Sequence, residues 1–355
     1  MNARIAAIAI IAASTPALAQ GFAGLGTDAE GFRIVAPGRA FSFPEDHGPH
    51  PGFRIEWWYV TANLQDTEGN PYGLQWTLFR QALEPSATEE GWQSTVLWMG
   101  HAGLTSETDH YSAEKFARGG IGQAGVTAAP FEAYIDDWSI VGMNGGDPLS
   151  AVNVSAAAED FAYDIDLTTN RAPVLQGNAG FSVKSEAGQA SYYYSQPFFE
   201  ASGTITIEGE DIAVTGLAWM DREWSSQPLS EDQEGWDWFS LHLPGGEKLM
   251  LYRLRAQGGS TFVPGTWIAA NGTPTPLDPG AITMTPLETS EVAGRQIPTR
   301  WRLEIPSRGF DVKTEPVNPQ SWMATTFSYW EGPIRFSGTH DGVGYLEMTG
   351  YGGEE

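Results

Sequence analysis

The chain has 355 residues, more than one ordinary domain, so two domains are expected. Its 19 basic and 44 acidic residues give a net charge of −25, a field that repels nucleic acid and anionic lipid and disfavours both as partners. Cysteine is absent, which removes thiolate nucleophiles, thiolate zinc sites, redox motifs and disulfides in one step.

At the start, Met1-Asn2-Ala3-Arg4 supplies a positive charge, residues 5–13 form a short apolar core, and Ala17-Leu18-Ala19 offers small residues before Gln20. This is the layout of a secretory signal peptide over residues 1–19, with an apolar run shorter than the roughly 20 residues that span a bilayer. The mature chain is therefore expected to be exported, periplasmic or secreted, with no integral membrane segment after cleavage. Next come Glu45, Asp46, His47 and His50, two carboxylates and two imidazoles in one short stretch. No regular spacing fixes them around an ion, so a solvated loop is expected there and no metal site.

From residue 33 onward the pattern is that of strands. Gly (42) and Pro (23) recur too often for long helices, and polar and apolar residues alternate. Residues 56–64 and 72–80 read as strands joined by a turn containing Asp66, Gly69, Asn70 and Pro71. Residues 204–207 and 211–214 flank Glu208-Gly209-Glu210 as a hairpin; 236–243 and 247–255 flank Pro244-Gly245-Gly246; 332–338 and 344–351 flank residues 339–343. Many short strands with such turns predict an all-β barrel or sandwich. The 14 Trp, 12 Tyr and 17 Phe suggest wide interiors lined by rings. A new strand series starts at Trp236, which puts the domain boundary between residues 218 and 235.

Chemistry-bearing motifs of the common hydrolases are missing: there is no G-x-S-x-G elbow and no H-E-x-x-H. Ser112-Ala113-Glu114-Lys115 fits S-x-x-K by chance, without its partner motifs. No phosphate-binding glycine loop opens a helix. Two segments stand out. In residues 54–59, Arg54, Glu56 and Trp58 share one face of an extended chain, and Ile55, Trp57 and Tyr59 the other. In residues 216–224, Trp219, Asp221 and Glu223 share a face. Carboxyl groups among indoles need either a cation or a proton, and Arg54, Arg80, Arg222, Arg253 and Arg255 are the candidate cations.

Taken in order, Glu56-Trp57-Trp58-Tyr59, Phe79-Arg80, Gln176-Gly177, Tyr193-Tyr194-Ser195, Trp219-Met220-Asp221-Arg222-Glu223-Trp224, Gly235-Trp236-Asp237-Trp238-Phe239 and Tyr329-Trp330-Glu331-Gly332 closely resemble the carotenoid 1,2-hydratase (hydroxyneurosporene synthase) and AttH-like family. Many bacterial members of that family are described only as predicted secreted hydrolases. The resemblance runs from about His50 to Tyr351 and implies two consecutive lipocalin-like antiparallel β-barrels, assigned to residues 31–218 and 219–355. Relatives include carotenoid hydratases, fungal phytoalexin hydratases and cyclisation catalysts.

The resemblance also implies a site. Asp221 takes the role of proton donor in acid-assisted hydration, with Glu223 and Tyr194 as the other catalytic candidates. Glu56, Trp57, Trp58, Trp219, Arg222, Trp224, Trp236, Trp238 and Arg253 are the ligand-binding candidates. The implied substrate is a small apolar or isoprenoid-like molecule, and neither metal nor organic cofactor is required. One departure stands out: the family often reads Asp-His-Glu-Trp where this chain has Asp221-Arg222-Glu223-Trp224, so a titratable imidazole is replaced by a permanent cation. Three alternatives stay open: an ion-pair network of Asp221 and Glu223 with Arg222, Arg253 or Arg255 between the barrels, a carrier that holds an apolar ligand unaltered, and a secreted hydrolase.

Overall fold

Alternating side chains and tight turns build strands almost throughout. In the computed structural model, residues 29–85 and 90–351 are described; the signal peptide expected over residues 1–19 lies outside them. The first sheet contains β1 (Ile55–Gln65), β2 (Pro71–Ala82), β3 (Val96–Thr105), β4 (His110–Arg118), β5 (Ala124–Ala128), β6 (Phe131–Ile135) and β7 (Trp138–Gly142). It continues with β8 (Ala151–Ala157), β9 (Phe161–Thr168), β10 (Val174–Leu175), β11 (Phe181–Val183), β12 (Ala190–Ile207) and β13 (Glu210–Ser225). The second sheet holds β14 (Gln233–His242), β15 (Lys248–Ala256), β16 (Thr261–Phe262), β17 (Gly265–Ile268), β18 (Pro274–Leu277) and β19 (Thr283–Val292). Its remaining strands are β20 (Arg295–Ile305), β21 (Phe310–Pro316), β22 (Trp322–Met323), β23 (Tyr329–Gly338) and β24 (Gly342–Met348).

The 13-stranded sheet runs β4-β3-β2-β1-β13-β12-β9-β8-β7-β6-β5 and curls into a nearly closed barrel, with β10 and β11 paired to β12. The 11-stranded sheet runs β18-β17-β15-β14-β24-β23-β21-β20-β19 as a half-barrel, with β16 and β22 at its margins. The protein is thus all-β and lipocalin-like, and the described residues contain no helix long and apolar enough to cross a membrane. The expected hairpins form. In that between β12 and β13, Glu208 and Gly209 both have positive φ (51° and 85°), the conformation a two-residue turn needs to match strand twist. The first sheet continues through Ser225 rather than ending at Ala218, because all of β13 pairs with β1 and β12. The crossing to the second sheet is the segment between Ser225 and Gln233.

Each barrel has its own core. Trp58, Trp76, Trp138 and Trp224 are fully buried in the first, and Trp301 and Trp330 in the second. A third apolar cluster, with Tyr59, Tyr193, Trp219, Trp238 and Tyr345, sits where the sheets meet. Close approach there depends on small residues: a Cβ on Gly73 of β2 would stand 2.4 Å from the Pro333 ring of β23. The Asn63 amide spans the junction, donating to the Gly344 carbonyl at 2.7 Å.

In the segment expected as a solvated loop, Glu45 is exposed and His50 half-buried, but Asp46 and His47 are buried. Glu45–His47 form a 3-10 turn, and the His47 ring stacks on Phe43 with centroids 4.8 Å apart while its Nδ1 lies 2.7 Å from the Tyr194 hydroxyl. Asp46 pairs with Arg39 and His50. Burial holds the His47 pKa down at about 4, so it is neutral. The segment plugs the first barrel because its polar groups find partners there.

Candidate active site between the barrels

Strand alternation sorts the motif residues into two places. On β13, Met220, Arg222 and Trp224 point into the first barrel; Trp219, Asp221 and Glu223 point outward to the second sheet. On β1, Glu56 and Trp58 point in, while Ile55, Trp57 and Tyr59 point out. The outward groups line a cavity of about 320 Å³ between the sheets. Trp57, Phe79, Trp98, Leu229 and Leu254 form apolar walls, and Leu97, Phe116 and Phe327 are partly exposed along its lining. This is the form of a small-molecule site: mostly apolar, with a few convergent polar groups.

Asp221 is the best-furnished of these. Its carboxyl accepts from the Tyr193 hydroxyl at 2.5 Å, the Trp219 indole at 2.6 Å and the Ser195 hydroxyl. Behind these, Trp238 Nε1 donates to the Tyr193 oxygen at 3.2 Å and Gln176 Nε2 to the Ser195 oxygen at 2.7 Å. Among the described residues no arginine or lysine forms an ion pair with Asp221. Burial therefore dominates: despite three donors that favour the anion, the pKa is raised to about 7, with the Glu223 charge pushing the same way.

Glu223 has a cation, but not one of the arginines. Lys184 lies 2.9 Å from it, with the ammonium also 4.4 Å from the Tyr252 ring centroid and 4.9 Å from that of Tyr193. Burial opposes the Lys184 charge, yet Glu223 and Tyr252 outweigh it and its pKa is raised. From the second sheet, Glu347 accepts a hydrogen bond from Trp236 Nε1, and burial lifts its pKa to about 7.

The remaining candidates lie elsewhere. Glu56 sits inside the first barrel between Arg80 (3.1 Å) and Arg222, with His50 beside it. Although burial works against its charge, these partners hold its pKa down at about 2. Arg222 stacks over Trp58, 3.8 Å from the ring centroid, and also faces Trp224. Tyr194 shares that interior with His47, because it is one residue out of phase with Tyr193 on β12. Arg253 and Arg255 bind Asp237, and Arg253 lies over Trp301 in the second barrel. The ion-pair network expected between the barrels is therefore two separate networks, one inside each, and neither includes Asp221 or Glu223.

The described residues offer no cluster of three or more His, Cys, Asp or Glu side chains placed to hold a metal. The AttH-like sequence profile matches residues 34–351. The chain belongs to the AttH-like family. It is 34% identical to the AttH-like protein NE1406 of Nitrosomonas europaea, with a TM-score of 0.79, over 90% of this chain and 99% of that one. Kievitone hydratase of Nectria haematococca shares the fold at 19% identity and TM-score 0.67, over 90% and 96% of the two chains. CghA, solved with Sch210972, aligns at 10% identity and TM-score 0.52, over 85% and 90%. No curated protein matches.

In this AttH-like chain several cavity residues were not singled out from sequence: Tyr59, His101, Lys184, Tyr193, Tyr329 and Glu347. Tyr59, Tyr193 and Tyr329 stood inside the quoted motifs, and the phase of their strands was the signal that could have assigned them to the outward face. Lys184, His101 and Glu347 carry no motif; only the meeting of distant strands brings them to the cavity.

Proposed function

We propose that this protein is an exported hydratase that adds water across a carbon–carbon double bond of a small apolar or isoprenoid-like molecule, with Asp221 as proton donor and no cofactor. The observation that carries this reading is Asp221 itself: a buried carboxyl with no cation partner among the described residues, with its pKa at about 7, facing an aromatic cavity. A pKa near the working pH is what a general acid needs. Membership of a family whose fold is shared with a protein named kievitone hydratase supports the same reaction class.

The chemistry follows from the groups present. The alkene takes the Asp221 proton, a C–H bond forms, and a carbocation is left on the neighbouring carbon. The rings of Trp57 and Trp238 line the cavity where that cation would form, and each aromatic face contributes up to about 2 kcal/mol when desolvated. The donors from Tyr193, Ser195 and Trp219 bind the carboxylate more strongly than the acid, so they stabilise Asp221 as its proton leaves. Water then forms the C–O bond and gives up a proton. The Lys184–Glu223 pair supplies polar groups that orient that water.

The test begins with native mass spectrometry and lipid extraction of the protein from its own exported compartment, to identify the apolar molecule it holds. Incubation of that molecule in heavy-oxygen water should yield a labelled alcohol, and Asp221→Asn should abolish labelling with the fold intact by circular dichroism. Return of the molecule unchanged would replace the hydratase with a carrier.

A further inference from the structure

The cavity contains a second acid–base unit beside Asp221, because Tyr59 of β1 stands directly across from Asp221 of β13 on the same face of the sheet. Glu331 of β23 is fully buried, and its Oε1 accepts a hydrogen bond from the Tyr59 hydroxyl across the junction between the sheets. Tyr329, two residues earlier on the same face of β23, is buried next to this carboxyl, and burial together with the Glu331 charge pushes its pKa well up. Tyr329 in turn lies 2.9 Å from His101 Nδ1, and His101 Nε2 lies 3.2 Å from Oε1 of Glu114. Glu114, on β4, is 17% exposed and also accepts from the backbone and hydroxyl of Thr326. Tyr59, Glu331, Tyr329, His101 and Glu114 thus form a row from the cavity wall to solvent.

Proton counting along this row sets its direction. Burial holds His101 neutral, so it carries one ring hydrogen. Glu114 is an acceptor, which places that hydrogen on Nε2 and leaves Nδ1 to accept from Tyr329. Tyr329 has a single hydroxyl hydrogen, and Gln75 approaches its oxygen only as a donor at 3.4 Å. Once that hydrogen faces His101, Tyr329 can meet Glu331 only as an acceptor, which calls for a donor on Glu331. Among the described residues the titratable groups around Glu331 are Tyr59, Tyr329, Tyr163, Tyr345 and Glu347, none of them a cation that would keep it ionised. Every member from Tyr59 to His101 is then both donor and acceptor, the condition for handing a proton along.

We infer that the Tyr59 hydroxyl, backed by Glu331, is a second proton-exchanging group of the cavity, and that Tyr329, His101 and Glu114 connect it to solvent. What the route serves rests on the hydration reading. There, the water that forms the C–O bond gives its proton to the Tyr59 oxygen as Tyr59 passes its own to Glu331. Glu331 passes one to Tyr329, Tyr329 to His101 Nδ1, and His101 releases the Nε2 proton to Glu114 and solvent. Asp221 regains one proton from cavity water, so one enters and one leaves per turnover. Tyr59 is the residue that meets the reacting water; Glu331, Tyr329, His101 and Glu114 are positioning residues that act through it.

The route is testable without substrate, so its failure and that of the hydratase reading are distinguishable. Infrared spectra should be recorded well above the pH of about 7 at which Asp221 and Glu347 titrate. A protonated-carboxyl band should persist there in the full chain and be lost in Glu331→Gln. On rapid transfer to deuterium oxide, His101→Phe and Glu114→Gln should each slow the isotope shift of that band by about tenfold or more. Glu114→Gln changes a partly exposed side chain and decides the matter if His101→Phe fails to fold. Absence of the band in the parent protein would overturn the inference. So would equal exchange rates in a folded variant, which would mean that protons reach Glu331 through the cavity itself.

Discussion

Glu56 and Asp221 lie on the adjacent strands β1 and β13, and both are buried, yet the two carboxyls face opposite sides of the same sheet. Glu56 faces the barrel interior, where Arg80 and Arg222 stand beside it, and its pKa falls to about 2. Asp221 faces the junction, where among the described residues it meets hydroxyls and an indole but no cation, and its pKa rises to about 7. Burial penalises the charge of both; the presence of guanidinium on one side only decides between a permanent anion and a titratable acid. One sheet thus carries a structural ion cluster on its inner face and a titratable acid on its outer face.

The largest effect is expected at the inner site. Glu56→Gln removes the carboxylate between two buried guanidiniums, which costs about 3–5 kcal/mol and lowers Tm by roughly 10 °C. Thermal unfolding checks this; a loss as small as that of a surface pair would break the comparison. At the outer site the effect moves from stability to chemistry. Asp221→Asn should lower turnover of the identified ligand by about 10²–10⁴-fold. Its unfolding free energy at neutral pH should stay within about 1 kcal/mol of the parent.

The two carboxyls should also impose opposite pH dependences on stability. The Glu56 pKa is depressed, so its contribution is present above the unfolded value of 4.5 and is lost as pH falls toward about 2. The Asp221 pKa is raised, so its contribution is complete below the unfolded value of 3.8 and is lost as pH rises through about 7. Denaturant unfolding across this range should show both slopes, Glu56→Gln removing the acid one and Asp221→Asn weakening the one toward neutrality. Glu347, also raised to about 7, maintains part of the second slope in Asp221→Asn. The smallest effect is expected from Trp238→Phe, which deletes one donor to Tyr193 and should cost about 0.5–1.5 kcal/mol. Tyr193 then becomes a weaker donor to Asp221, and the turnover pH profile should move upward.

Much of the architecture was legible residue by residue. The Glu208-Gly209 turn and the alternation in residues 54–59 and 216–224 are local patterns, and local backbone geometry reads them directly. The family motifs likewise marked Asp221, Glu223, Trp57, Trp236 and Trp238, which the fold gathers at the cavity. Tyr194, Trp58, Trp224 and Arg222 came from the same motifs but occupy the opposite face, since neighbouring residues of a strand point apart.

Strands, hairpins and the cofacial set Trp219, Asp221 and Glu223 were thus settled by neighbours along the chain, because a strand's period of two depends on nothing farther away. Which face would hold a cation was not. Arg80 reaches Glu56 through the pairing of β1 with β2, and Lys184 reaches Glu223 from the short strand region beside β12. The row from Glu331 to Glu114 joins β23 to β4 across the junction of the two sheets. Charge state depends on every polar group within a few ångströms, and only the tertiary structure decides which of those groups arrive.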